Sequence, residues 1–156
     1  MQINYFTFDE LCVIIYKRVT ITIISKLKQG DFMKKSELAI SNKHNGLNCC
    51  QAVISVYTDE LGIDLETANK LGAAFGIGMG NMNGNCGALV GAQMVLGMKE
   101  YTGRPIAAKS RSVYAKFAAR CGATICSDIK GVTTGRVLCS CDDCVRNAVD
   151  IIEEMS

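Results

Sequence analysis

Three cysteines in this chain each stand directly behind a residue that favours the start of a helix. Asn48 precedes Cys49, Asn85 precedes Cys86 and Ser140 precedes Cys141. Asn and Ser side chains accept from the unpaired N–H groups of a first helical turn, so the pattern predicts three helix starts with a thiol in each. Free N–H groups and the positive end of the helix dipole stabilise a thiolate there, and such sites bring a cysteine pKa from about 8.5 down to about 3.5–7.5. The thiolate is both the nucleophile and the metal ligand, so one feature constrains fold and chemistry together. Cys126, in "TICSDIKG", begins a short turn after Thr124 and joins the other three.

Apolar spacing agrees with helices from Met33 onward. Cys50, Val53, Ile54, Tyr57 and Leu61 share a face that ends at Gly62, and Asp64 caps a second stretch with Leu65, Ala68, Leu71, Gly72 and Phe75 on one side. A glycine-rich connector, "GIGMGNMNGN", leads to a helix from Cys86 to about Tyr101. Pro105 suits the opening of the next, with Ile106, Val113, Phe117 and Ala118 as its stripe and its end near Cys121-Gly122. Val145, Ala148, Val149 and Ile152 mark the last, for which Ser140 and Asp143 resemble a capping box. The expected fold is all-α, a compact bundle of about five short helices.

The run "CGALVGAQ" carries Gly87 with Gly91 and Ala88 with Ala92 at i, i+4 spacing. These pairs leave two adjacent faces of a helix start almost bare, so another helix can come close and bring its own cysteine towards Cys86. Gly87, Ala88 and Gly91 are therefore the expected close-packing positions of a cysteine site, and of any cofactor held there.

Composition bounds the rest. With 49% hydrophobic and 21% charged residues in 156, the chain holds enough apolar material for one core without disulfide support. The nine cysteines are an odd number, so a fully paired disulfide framework cannot use them all. The opening "MQINYFTFDE" is acidic where a secretory leader is basic, so a cytoplasmic setting is expected. There a cysteine-rich chain is more often metal-binding or redox-active than stapled. The formal charge of +2, with no basic run longer than two residues, does not indicate nucleic acid, and no apolar stretch approaches the roughly 20 residues of a membrane span.

Residues 1–32 differ in style from the remainder of the chain: rich in Ile, Thr and aromatics, with no helical stripe. "MKKSELAIS" at Met33 is a typical bacterial opening, and Gln29-Gly30-Asp31 can be encoded by a stretch containing a ribosome-binding AGGAG. The expectation is a native start at Met33, a non-native or disordered extension over 1–32, and a single helical cysteine-rich domain over 33–156. An intact mass that includes residues 1–32, measured on protein made from its own gene, would sink this reading.

Cys139, Cys141 and Cys144 form the densest chemical feature. Cys141-Asp-Asp-Cys144 at a helix start has the spacing of a CxxC redox pair. Val145 stands where a c-type haem site needs histidine, and Cys121 with Cys126 is spaced too widely for a zinc knuckle. "GIGMGNMNG" lacks the last glycine of a dinucleotide fingerprint and the lysine of a P-loop, so it is read as a connector that passes backbone near the cysteines. Cys12, Cys50 and Cys121 are read as buried hydrophobes, His44 as a solvated loop residue, and no hydrolytic constellation stands out.

"NCCQAV", "FGIGMG", "CGALVGAQMVLG", "ATICSDIKG" and "CDDCVRNAV" succeed one another in the order of a bacterial family. From Met33 to Ser156 the chain resembles the redox-active C-GCAxxG-C-C proteins, which carry a CGAxxG motif and four characteristic cysteines. The resemblance places those four at Cys49, Cys86, Cys126 and Cys141, and leaves Cys50, Cys139 and Cys144 as extras. Cys139 or Cys144 can substitute for Cys141 in that assignment. It implies redox chemistry, as an oxidoreductase or electron-transfer protein, and a neighbouring transporter gene, but no substrate. The leading expectation is a four-cysteine cluster at Cys49, Cys86, Cys126 and Cys141 holding an iron–sulfur centre or another thiolate-bound metal. The alternatives are a thiol–disulfide protein using the same cysteines without metal, and a non-catalytic accessory protein of a transporter. An unidentified redox partner and a second copy of the chain complete the expected partners.

Overall fold

The computed structural model describes residues 33–155; the expectation about residues 1–32 lies outside the described residues. Contacts divide the chain after Met33, and the unit from Lys34 onward carries every element described. Eight α-helices run in the order α1 (Lys35–His44), α2 (Cys49–Ser55), α3 (Thr58–Leu61), α4 (Leu65–Gly72), α5 (Gly87–Glu100), α6 (Ala107–Cys121), α7 (Cys126–Lys130) and α8 (Cys141–Glu153). One 3₁₀ turn, Ala73–Phe75, comes after α4. No strand occurs among the described residues, only an isolated bridge between Asn85 and Ile125. The protein is all-α.

Capping explains several of these starts. The Asn48 side chain accepts from the N–H groups of Cys50 and Gln51 while the Gln51 side chain accepts from Asn48 N–H, a complete capping box for α2. Asp64 caps α4 through Thr67 N–H at 2.6 Å, and Ser140 caps α8 through Asp143 N–H at 3.0 Å. Asn85 does not cap α5 as its position suggests. Cys86 is itself the N-cap, because its N–H is taken by Thr124 O at 2.7 Å and Asn85 is drawn into the bridge with Ile125.

The five expected helical stretches are present, with refinements. The stretch ending at Gly62 is split into α2 and α3 where Tyr57, fully buried, turns inward and its hydroxyl donates to Val149 O at 3.3 Å. Helix α1 leaves little trace in the apolar pattern, since only Ser36, Ala39 and Ile40 of its ten residues are buried. Helix α7 is the second addition. In α4 the expected stripe is half wrong: Ala68 and Gly72 are buried but Leu65 and Leu71 are exposed, since the short helix touches its neighbours mainly along its small residues.

The core lies where α5 and α8 meet α2 and α6. Val53, Ile54, Leu89, Val95, Phe117 and Val149 are 0–1% exposed within it. Truncating Phe117 to alanine there would cost about 3–5 kcal/mol. Helix α1 covers α8 and is tied to the start of that helix by Lys43 Nζ and His44 Nε2, each 3.0 Å from an Asp142 carboxylate oxygen. His44 therefore ends a helix and holds a partner, rather than standing in a solvated loop.

Candidate functional site

The site begins with two glycines. A Cβ at Gly91 would lie 2.8 Å from Cys50 O, and one at Gly87 would lie 2.6 Å from Phe75 O and 3.5 Å from Cys49 Cβ. Ala88, between them, is fully buried. Only residues this small let α2 lie backbone-close against the head of α5, and that approach brings Cys49 beside Cys86.

The glycine-rich connector supplies the next wall. Gly78, at φ +54°, passes so close to Cys126 that a Cβ on it would lie 2.5 Å from the Cys126 Cβ. Gly84 O and Met82 O accept from the N–H groups of Cys126 and Ser127 at 3.0 and 2.9 Å, satisfying the first donors of α7 with loop carbonyls instead of a side-chain cap. Ile77, Met79 and Met82 also hold positive φ values of 51°, 61° and 65°. Such angles are rare outside glycine, most of all for a β-branched residue, so the connector is held by its hydrogen bonds against local preference.

Two groups of thiols result. Of the eight described cysteines, Cys49 and Cys141 alone are not buried. They are the first residues of α2 and α8 and share a hydrogen-bonding contact. The Cys49 partner brings the Cys141 thiol down to about 5 against the opposing effect of burial, with Lys130 and Lys43 adding to the fall. Cys49 moves upward, first because it bonds Cys141 and then because it is buried. The two shifts run in opposite directions, so a negative charge is favoured on Cys141 over Cys49. Burial alone would lower Lys130, but its contact with Cys141 and the neighbouring thiol charges leave it raised.

The inner group is Cys121, Cys139 and Cys144, whose sulfurs all lie within 4.8 Å of one another. Contact with Cys144 brings Cys121 down to about 6; Cys144, bonded to both Cys121 and Cys86, is pushed up; burial pushes Cys139 up to about 11. These three thiols could hold a metal ion. Cys86 stands between the groups. Contact with Cys144 lowers it against burial, and the N–H groups of Ala88 and Leu89 assist, although its sulfur makes no well-formed cap bond. Its own charge helps to raise Cys49.

The four cysteines read from the sequence are thus linked: Cys49 to Cys141 directly, Cys86 to Cys49, and Cys126 to Cys86 and Cys141 through their charges. The compact metal-type group among the described residues is a different one, with Cys139 and Cys144 joined by Cys121. Cys49 sits at a capped helix start, yet contact with Cys141 and burial raise it rather than lower it. Cys121 is buried in the core as expected, and it also belongs to the inner group and accepts from the Asn147 amide at 3.6 Å. The surplus of cysteines beyond the four was the only advance signal for it. Lys130 gave none.

An all-α domain with thiols gathered at its helix starts is the class this arrangement defines. Residues 47–155 match the family described as "Putative redox-active protein (C_GCAxxG_C_C)", and the chain belongs to that family. The match leaves α1 outside, so the resemblance begins later than Met33. No curated protein and no solved structure is matched.

Proposed function

We propose that the chain is a thiol-based redox protein whose working couple is Cys49 and Cys141. The observation that carries this is exposure: among the described residues, the two cysteines that are not buried are the two that contact each other. The Cys141 thiolate attacks a disulfide of a partner and releases one partner thiolate, leaving a mixed disulfide. Cys49 then gives up its proton and attacks the Cys141 sulfur, releasing the second partner thiolate. The partner disulfide gains two electrons and the Cys49–Cys141 disulfide forms, so the exchange balances. Treating the reduced full chain with oxidised glutathione and mapping its disulfides tests this. A single Cys49–Cys141 link is expected; formation of some other link, or of none, would overturn the reading.

A second reading keeps all four family cysteines as ligands of an iron–sulfur or other thiolate-bound metal centre. It is favoured by the mutual charge effects that join Cys49, Cys86, Cys126 and Cys141. Such a centre would supply one-electron transfer. Anaerobic purification with iron and sulfide analysis and a visible spectrum tests it. Retention in wild type with loss in C86S and C126S is expected, and a colourless, iron-free protein would end it.

A further inference from the structure

Cys121, Cys139 and Cys144 come from three different elements: the last residue of α6, the segment before α8, and the first turn of α8. None is among the four cysteines carried by the family resemblance, and the dithiol exchange does not use them. They are 1%, 8% and 0% exposed. Three apolar residues would fill such a space without a polar atom, so three converging sulfurs call for another account.

We propose that Cys121, Cys139 and Cys144 form a second, buried site for a thiophilic closed-shell cation of the zinc type. Zinc held by thiolates has Zn–S distances of about 2.3 Å, which puts tetrahedral sulfurs about 3.8 Å apart. Sulfurs already within 4.8 Å need to close by only about 1 Å. No carboxylate or imidazole belongs to the group, which disfavours magnesium and calcium and favours a soft ion.

The surroundings suit a cation bound by thiolates. Cys121 ends a fifteen-residue helix, where the C-terminal end of the dipole favours positive charge. The Asn147 amide donates to the Cys121 sulfur, the kind of outer hydrogen bond that orients a ligand. Lys130 Nζ donates to Cys139 O at 3.1 Å and stands near Cys144 and Cys86, ready to balance excess thiolate charge. Cys86, in contact with Cys144, is the nearest candidate for a fourth sulfur.

Position also gives the site a purpose. The segment between α7 and α8 folds back through Val132 N–H to Ser127 O at 3.0 Å and Leu138 N–H to Ile129 O at 2.8 Å. An ion at the three thiols would pin this segment, the end of α6 and the start of α8 together. Because α8 carries Cys141, such a pin would fix one half of the proposed redox couple without taking part in its chemistry.

The test uses the full chain, reduced and stripped with chelator, titrated with Cd(II) as a spectroscopic probe and then with Zn(II). One equivalent should bind with thiolate charge-transfer absorption and raise the melting temperature. C49S and C141S should bind as wild type does, whereas C121S, C139S and C144S should bind at least tenfold more weakly. Cys139, the least buried of the three and outside any helix, gives the variant best able to fold, which far-UV circular dichroism of the metal-free protein checks. Should all three variants fail to fold, alkylation of metal-loaded wild type decides: protection must fall on Cys121, Cys139 and Cys144. Wild-type binding by folded C139S, loss of binding in C49S or C141S, protection of other cysteines, or no binding at all would overturn the proposal. Failure here leaves the glutathione result untouched, so the two readings stand or fall separately.

Discussion

The outer pair and the inner trio place the same functional group in two settings. Cys141 and Cys144 are three residues apart in one helical turn, yet the first is brought down to about 5 while the second is pushed up. Cys141 faces Lys130, Lys43 and one thiol that is itself raised. Cys144 faces three thiols, those of Cys86, Cys121 and Cys139. A shared helix start therefore does not set reactivity. The groups arriving from other elements do.

The largest expected effect tests that contrast directly. At pH 7 a thiol titrating near 5 is almost wholly ionised, and one near 11 is ionised to about one part in ten thousand. In the reduced, metal-free chain, iodoacetamide should therefore modify Cys141 more than 100-fold faster than Cys139. The lower intrinsic nucleophilicity of a low-pKa thiolate takes back part of the advantage. Peptide mapping over time measures the ratio. Comparable rates would show that the two regions are not chemically distinct.

The second effect separates the regions by packing. A methyl at Gly87 would lie 2.6 Å from Phe75 O, a backbone atom that a rotamer change cannot relieve. Overpacking of this kind costs about 1–3 kcal/mol. Gly87→Ala should lower stability to urea by that amount and slow formation of the Cys49–Cys141 disulfide, because the turn at Phe75 must retreat and the head of α2, with Cys50 N at 3.3 Å, must give as well. Cd(II) binding at the inner thiols should change less. Wild-type stability in G87A would mean that the close approach of α2 and α5 is not tightly set.

Legibility in the sequence divides along the same line. Asn48 with Gln51, Asp64, and Ser140 with Asp143 are local signals, and each marks a real helix start. Gly87 and Gly91 announced a close helix contact through i, i+4 spacing. What the sequence concealed depends on distant chain. Asn85 could not be seen to lose its capping role to the bridge with Ile125. The split at Tyr57 depends on a buried bond to α8, and the union of Cys121 with Cys139 and Cys144 depends on the segment after Gly131 folding back. Gly131 lies at φ +65°, where a Cβ would collide with the Arg136 backbone. The opposite shifts of Cys49 and Cys141 were concealed for the same reason, since Lys130 reaches Cys141 from another helix.

A third effect lies in the pH dependence of stability. Cys141 is depressed from 9.0 to about 5. Its stabilisation is present above the unfolded value and is lost as pH falls through the folded one, over pH 9 to 5. Cys49 is raised, so its contribution is present below the unfolded value and fades as pH rises beyond it. The two together place the pair's greatest contribution near pH 9 and make it fall on either side. Urea midpoints across pH 5 to 10 for wild type, compared with C49S/C141S, would show this hump in the difference. A flat difference would mean that the pair shares no charge.

The smallest effect distinguishes the two lysines beside Cys141. Lys130 donates to Cys139 O and stands beside the Cys141 sulfur, whereas Lys43 bonds the Asp142 carboxylate and reaches Cys141 only as a more distant charge. Water screens partly exposed charges that are not in contact, so Lys43 contributes less. Lys130→Met should raise the Cys141 titration midpoint, measured by the pH dependence of its alkylation, and slow its modification at pH 5 severalfold. Lys43→Met should slow the same reaction less than twofold, and added salt should remove most of even that difference while leaving part of the Lys130 effect. Equal effects from the two substitutions would point to the general positive potential around α8 rather than contact with one lysine. The difference between outer and inner thiols would then rest mainly on exposure and on Cys49.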